Sequence, residues 1–209
     1  MTNPLEKYNK PTILLFVKAP YPGKVKTRLA ETIGEVAALE AFKLLVIKQL
    51  ERIPPGFELE VHYTPDEAES EIAAWLGEDL KRFRQEEGDL GDRLTAATKA
   101  AFARGAASVY CIGGDCPGLD ASHFLLAEEQ LRQGADLCFG PTEDGGYYLL
   151  AMAAPHPDIF REIPWSTQHT LATSILRAEE HGLNVHLLEE LYDIDTEFDL
   201  NRATQEGLL

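Results

Sequence analysis

Thr12-Ile-Leu-Leu-Phe-Val-Lys-Ala-Pro-Tyr-Pro-Gly-Lys-Val-Lys-Thr-Arg-Leu29 is the stretch whose pattern decides how the chain folds. Ile13 to Val17 is an apolar run of strand length, rich in β-branched and aromatic residues, as a buried strand requires. Pro20, Pro22 and Gly23 then break the chain into a loop that carries Lys18, Lys24, Lys26 and Arg28. No acidic residue falls between Lys7 and Ala30, a stretch that holds six of the nineteen Lys and Arg. In a chain of formal net charge −16 this is an island of opposite sign. A hydrophobic strand that delivers cations onto a loop suits a polyanion such as a nucleotide diphosphate; a merely solvated loop accounts for the charges equally well. Neither common phosphate-binding signature is met, since Val25 rather than Gly precedes Lys26-Thr27 and no Gly-x-Gly-x-x-Gly follows the strand. Side chains, not a backbone cradle, would do most of the binding.

Working outward, helical spacing runs from Glu35 to Arg52 and is stopped by Pro54-Pro55-Gly56. Phe57 to Tyr63 alternates as a strand, Pro65 to Trp75 reads as a short acidic helix, and Leu80 to Gln85 is a weak strand. Gly88-Asp-Leu-Gly-Asp-Arg-Leu94 leads into an alanine-rich helix ending near Gly105. Strands are expected at Ser108 to Ile112, Ala135 to Phe139, Tyr147 to Met152 and Asn184 to Leu188. Helices are expected at Ala121 to Gln133, Thr167 to His181 and Thr196 to Gln205, the last capped by Asp195 or Thr196. This alternation predicts one α/β domain over residues 1–209, a mostly parallel mixed sheet flanked by helices. Ligands of such sheets sit beyond the carboxyl ends of the strands, so the loops after Val17, Ile112 and Phe139 should share one edge.

Composition narrows the function. The excess of 35 Asp and Glu over 19 Lys and Arg argues against a nucleic-acid partner, which wants a basic surface. Three cysteines, Cys111, Cys116 and Cys138, make no disulfide framework, and no second cysteine pair or nearby histidine completes a zinc site. The polar stretch Met1 to Lys10 lacks the apolar core of a signal peptide and no run reaches membrane-spanning length, so a cytoplasmic protein is expected. Oligomeric state is not legible.

Three loops carry groups suited to chemistry. Gly113-Gly-Asp-Cys-Pro-Gly118 places Asp115 directly after a buried strand, where a carboxylate can hold a divalent ion against phosphates; an Asp turn bonding its own backbone explains it equally well. Glu143-Asp-Gly-Gly-Tyr-Tyr148 sets Asp144 beside two glycines, as an acceptor-orienting base or as part of a hairpin turn. Tyr192-Asp-Ile-Asp-Thr196 holds Asp193 and Asp195 two apart, on one side of an extended segment, with a helix cap as the simpler role for Asp195. The six histidines show no ligand or triad spacing, and no serine or cysteine nucleophile signature occurs.

Taken in order, Phe16 to Leu29, Gly88 to Leu94, Gly114-Asp-Cys-Pro-Gly118, Gly140-Pro-Thr-Glu-Asp-Gly-Gly-Tyr147, Ile163-Pro-Trp-Ser-Thr167 and Asp193-Ile-Asp-Thr196 resemble a bacterial family of GT-A-like proteins. Its members are called glycosyltransferase-like or nucleotide-diphospho-sugar transferase-like and are related to MobA-like nucleotidyltransferases. The resemblance implies a GT-A-like, Rossmann-like fold and a transferase that takes a nucleotide sugar or an NTP together with a small-molecule acceptor. It implies Asp115 as a metal-binding and catalytic residue for Mg²⁺ or Mn²⁺, Asp195 as a second metal ligand and Asp144 as the acceptor-side catalytic group. Lys18, Lys26, Arg28 and Arg93 become the nucleotide-binding set. Lys26-Thr-Arg-Leu29 is similar to an element of guanylyltransferases acting on phospholactate, which supports nucleotidyl transfer as the alternative to sugar transfer. The usual glycosyltransferase Asp-x-Asp is replaced by Asp115-Cys-Pro117. A third reading is a non-catalytic nucleotide-binding protein on the same scaffold.

Overall fold

A computed structural model describes residues 10–209; the expectation for the amino-terminal stretch Met1 to Lys10 lies almost wholly outside them. The opening apolar run forms β1 (Pro11–Lys18), an interior strand of a seven-stranded sheet. Its neighbours are β2 (Glu58–Thr64) and β4 (Ser108–Ile112), both parallel to it, and β3 (Lys81–Arg84) extends the sheet beyond β2. On the other side lie β6 (Tyr147–Met152), β5 (Leu137–Pro141) and β7 (Val185–Leu187), giving the order β3-β2-β1-β4-β6-β5-β7. Only β6 runs against the rest, pairing antiparallel with both β4 and β5. This is the expected mostly parallel mixed sheet, with the reversal confined to the hairpin through Gly145-Gly146.

Alternate residues of β1 face opposite layers, and both layers are apolar. Ile13, Leu15 and Val17 pack with Phe42 and Val46 of α2 (Glu35–Glu51), Ile72 of α3 (Glu69–Leu76) and Phe124 of α5 (Ala121–Arg132). Leu14 packs on the opposite face with Leu94 and Ala97 of α4 (Leu90–Ala103) and Ala178 of α6 (Thr170–Glu180). Burial on both faces is why the strand reads as a continuous apolar run rather than an alternating one.

One helix was not expected. Thr27–Ile33 is α1, a seven-residue helix inside what the sequence presents as the end of the basic loop. It is too short for a periodic signal, and Gly34, at φ +86°, separates it from α2. With α7 (Glu197–Gln205) it forms a third small core around Leu29, Leu45, Tyr192, Ile194 and Ala203. That core brings the carboxyl-terminal segment to the basic loop. Among the described residues no helix is long and apolar enough to cross a membrane.

Candidate active site

The sheet's strand order reverses at β1, whose partners are reached by crossovers in opposite directions, and a cleft of about 520 Å³ opens there beyond the carboxyl ends of β1 and β4. Two adjacent glycines floor it for different reasons. A Cβ on Gly114 would lie 2.5 Å from Val46 Cγ2, so Gly114 lets the loop pass close to α2; a Cβ on Gly113 would meet nothing within 4 Å and would project into open space. The loops after β1 and β4 therefore share the cleft as expected. The loop after β5 lies on the same edge but contributes no lining residue.

Five cationic side chains line the cleft: Lys18, Lys24, Lys26, Arg28 and Arg93. Asp115 and Asp195 line it too, so six of the seven residues singled out from the sequence converge. They come from segments as far apart in the chain as Lys18 and Asp195 and meet because of two tethers. Ile194 is fully buried in the third core, and its amide donates to the Asp115 carbonyl oxygen at 3.0 Å. The residues flanking Ile194, Asp193 and Asp195, are thereby set beside the Asp115 loop.

Lys26 lies at the junction. Its backbone is left-handed (φ 47°, ψ 47°), unusual for a residue with a Cβ, where the loop turns into α1. Its side chain is 5% exposed, and Nζ donates to the Ile194 carbonyl oxygen at 2.6 Å. The same ammonium is 2.5 Å from Asp115 Oδ1 and 3.8 Å from Asp195 Oδ1. Arg28, well exposed, reaches Asp195 Oδ2 through Nη1 at 2.9 Å. By contrast Lys18, Lys24 and Arg93 have no ion-pair partner among the described residues.

Arg93 is aimed by neutral groups. Its Nε donates to the Gly88 carbonyl at 3.2 Å and its Nη1 to Gln85 Oε1 at 3.3 Å. Gln85 is itself fixed, its Nε2 donating to the carbonyls of His62 at 2.8 Å and Val17 at 3.3 Å. Gln85, just past a weak edge strand, and Ser166 carry no sequence signal for the cleft they line, and Lys24, a cation of the basic loop, joins the expected nucleotide-binding set there. The neighbouring acids of the Gly88 to Leu94 stretch are structural: Asp89 caps α4 and exchanges capping-box hydrogen bonds with Asp92.

Among the carboxyls beside the cleft, Asp193 is the one whose titration is strongly raised. Burial, then the charge of Asp115, push its carboxyl up to about 7, with Asp144 and Asp195 adding to the rise and Lys26 opposing it. The region is thus rich in negative charge even with Lys26 present. A period-two spacing with Asp195 was the only sequence trace of it. Asp195 does not cap α7, because Thr196 does, in a capping box with Asp199. Asp144 lies apart from the cleft lining; its Oδ1 accepts from Thr142 Oγ1 at 2.6 Å and from the Gly146 amide at 2.9 Å, the hydrogen bonds of a turn. The space freed at Gly145 is filled by the Gln168 carbonyl, 2.3 Å from where a Cβ would stand, and not by an open site. Cys116 is buried, and burial, then the charge of Asp193, raise its thiol to about 12, which removes it as a nucleophile at neutral pH.

Known proteins share the family and the fold of this chain. The sequence profile of a family described as "Uncharacterized protein conserved in bacteria (DUF2064)" matches residues 50–167, and the chain belongs to that family. A protein from Desulfovibrio desulfuricans G20, provisionally described as a nucleotide-diphospho-sugar transferase, is 33% identical over 94% of this chain and 87% of its own, with a TM-score of 0.89. Two more distant structures share the fold. CMP:2-keto-3-deoxy-manno-octonic acid synthetase, complexed with CTP, is 16% identical over 96% of this chain and all of its own, with a TM-score of 0.61. A Mycobacterium tuberculosis H37Rv protein complexed with manganese is 15% identical over 95% of this chain and all of its own, with a TM-score of 0.54. No curated protein matches the chain. These likenesses place the chain among transferase-fold proteins of the GT-A-like superfamily, as its motifs implied.

Proposed function

We propose that this single domain is a divalent-metal-dependent glycosyltransferase that takes a nucleotide-sugar donor and a small-molecule acceptor. The observation that carries this reading is the pairing, in one cleft, of three cations without ionic partners among the described residues (Lys18, Lys24 and Arg93) with two carboxylates, Asp115 and Asp195. The three cations would hold a diphosphate by charge-assisted hydrogen bonds. Arg93 enters already oriented by Gln85, so little is lost in fixing it. Lys26 and Arg28 stand beside the same phosphate position, attached to the carboxylates.

The donor set suits Mg²⁺ or Mn²⁺. Carboxylate oxygens of Asp115 and Asp195 and the carbonyl oxygen of Ile194 already surround a cation, the Lys26 ammonium, and hard oxygen donors are what these ions prefer. Among the described residues no three or more His, Cys, Asp or Glu side chains converge as a complete cage, so phosphate and water oxygens would supply the remaining ligands, as is usual for magnesium. The ion, when bound, neutralises the charge that develops on the departing nucleoside diphosphate.

In the transfer an acceptor hydroxyl oxygen bonds to the anomeric carbon as the carbon–oxygen bond to the diphosphate breaks, and the hydroxyl proton passes to a base. Asp144 is our candidate for that base, since its second carboxylate oxygen makes no hydrogen bond among the described residues. The acidic composition and three buried free cysteines support a cytoplasmic setting.

The count of five cations in the cleft favours one alternative, attack of a phosphorylated acceptor on the α-phosphorus of an NTP with release of pyrophosphate. Calorimetric titration of nucleotide sugars and NTPs in Mn²⁺ tests the shared reading, which fails if no nucleotide binds. Free sugar released from a nucleotide sugar then supports glycosyl transfer, and pyrophosphate released from an NTP supports nucleotidyl transfer.

A further inference from the structure

We propose that Lys26 is an exchangeable occupant of the carboxylate pair: its ammonium holds Asp115 and Asp195 in the free protein and turns to the donor's diphosphate when a divalent cation takes those carboxylates. This rests on the metal-dependent reading above and adds a role that a fixed phosphate-binding lysine does not have.

Lys26 differs from the other cations of the cleft. Of its three donors one goes to the Ile194 carbonyl, while its charge is paired with Asp115 Oδ1 at 2.5 Å and faces Asp195 Oδ1 at 3.8 Å. Held in this way, its charge is already compensated by carboxylates before a phosphate arrives. The oxygens around it are the fixed partners, because the 193–195 segment is anchored through buried Ile194 and its hydrogen bond to the Asp115 backbone. Lys26 is the movable one, a charge on a four-carbon stem. The two carboxylates are each nearly half exposed, so an incoming cation reaches them without unfolding anything.

Charge follows the same logic. A divalent ion leaves two carboxylates better neutralised than one ammonium, and the displaced ammonium meets a diphosphate whose charge has just entered the cleft. Metal and diphosphate then bind cooperatively through one side chain, and by linkage each tightens the other equally.

The test is calorimetry on the full chain, titrating Mn²⁺, and inorganic pyrophosphate with and without Mn²⁺. Pyrophosphate carries the diphosphate and no base, so base selectivity does not enter. The variants are Lys26→Gln, which keeps a donor for the Ile194 carbonyl, Asp115→Asn, the two combined, and Lys24→Met as a control for charge lost elsewhere in the cleft. Lys26→Gln should tighten Mn²⁺ at least about tenfold, the scale of one hydrogen bond to a charged group, and Lys24→Met much less. The ratio of pyrophosphate affinity with Mn²⁺ to that without it should fall about tenfold in Lys26→Gln. An unchanged ratio makes Lys26 a fixed phosphate ligand and overturns the exchange, as does equal Mn²⁺ affinity in Lys26→Gln and the parent. Asp115→Asn should bind pyrophosphate more tightly without metal, and adding Lys26→Gln should cancel that gain; if Lys26→Gln alone does not fold, absence of the gain in Asp115→Asn is decisive against. Loss of the exchange while the parent still binds Mn²⁺ leaves the metal reading standing, whereas failure of every protein to bind Mn²⁺ removes both.

Discussion

Gly113 and Gly114 are neighbours in the same loop, and alanine at each should have effects of opposite sign. At Gly114 the new methyl would stand 2.5 Å from Val46 Cγ2 and 3.7 Å from both Phe42 Cε2 and Val17 Cγ1. Carbon atoms rest at about 3.5–4.0 Å, so Val46 or the loop must yield by about 1 Å. Val46 is fully buried on α2 and has no free direction to move. Overpacking of this kind costs about 1–3 kcal/mol, and the smaller entropy of an unfolded alanine returns roughly 0.4–1 kcal/mol. Gly114→Ala should therefore lose about 1–2 kcal/mol. Gly113 has neither a positive φ nor a neighbour within 4 Å of its missing Cβ, so only the entropy term remains and Gly113→Ala should gain about 0.5 kcal/mol. Urea denaturation measures both, and Val46→Ala combined with Gly114→Ala should recover part of the loss in a double-mutant cycle. Ligand binding should separate the pair again: a larger side chain at Gly113, such as valine, should weaken nucleotide binding while leaving the denaturation midpoint near that of the parent. Equal destabilisation at the two positions would refute the assignment of one glycine to packing and the other to the cleft.

Gly145 should be less tolerant than either, because φ is +86° and its Cβ would stand 2.3 Å from the Gln168 backbone carbonyl; Gly145→Ala should cost about 2–3 kcal/mol in urea denaturation. Thr196→Ala should cost about 1 kcal/mol as a lost cap and leave nucleotide affinity unchanged, while Asp195→Ala should weaken Mn²⁺ binding with a smaller change in midpoint. If Asp195→Ala matches Thr196→Ala in both measurements, Asp195 has only a structural role. Glu60 supplies a pH signature: burial pushes its carboxyl up, but hydrogen bonds from His62 and Arg104 and their charges outweigh this and leave its pKa lowered. A lowered carboxylate pKa contributes stability that is fully present above its unfolded value of 4.5 and is lost as pH falls through the folded value. Glu60→Gln should cost about 2 kcal/mol at pH 7, discounted because the Arg104 side chain is 34% exposed, and the difference from the parent should shrink towards pH 3. A pH-independent difference would assign the loss to packing instead.

What the sequence made legible followed from local rules. The apolar run of β1, the stop of α2 at Pro54-Pro55-Gly56 and the carboxylate after β4 each need only neighbours within a few residues to be recognised. Parallel strand order alone then puts Lys18 and Asp115 on one edge. The misses have physical causes as well. α1 has too few residues to show a period, and the groups that Gly114 and Gly145 make room for, Val46 and the Gln168 carbonyl, lie far from them along the chain. The clamp on Lys26 joins residues 168 positions apart, and nothing local to Lys26 announces it.

That clamp changes what the basic loop means. Counted along the sequence, its cations form one island of positive charge in an acidic chain. In the fold they divide into two kinds. Lys18 and Lys24 stand in the cleft without ionic partners among the described residues, whereas Lys26 and Arg28 are held by Asp115 and Asp195. Had all four been unpaired, the cleft would attract any anion whether or not a metal accompanied it. Had all four been paired, the cleft would have little hold on phosphate. On the exchange proposed for Lys26, the division leaves a standing attraction for a diphosphate and a reserve that is released only if the carboxylates find another cation. Selectivity for a metal-bound donor over a bare anion then needs no additional residue, because it follows from which cations the 193–195 segment reaches.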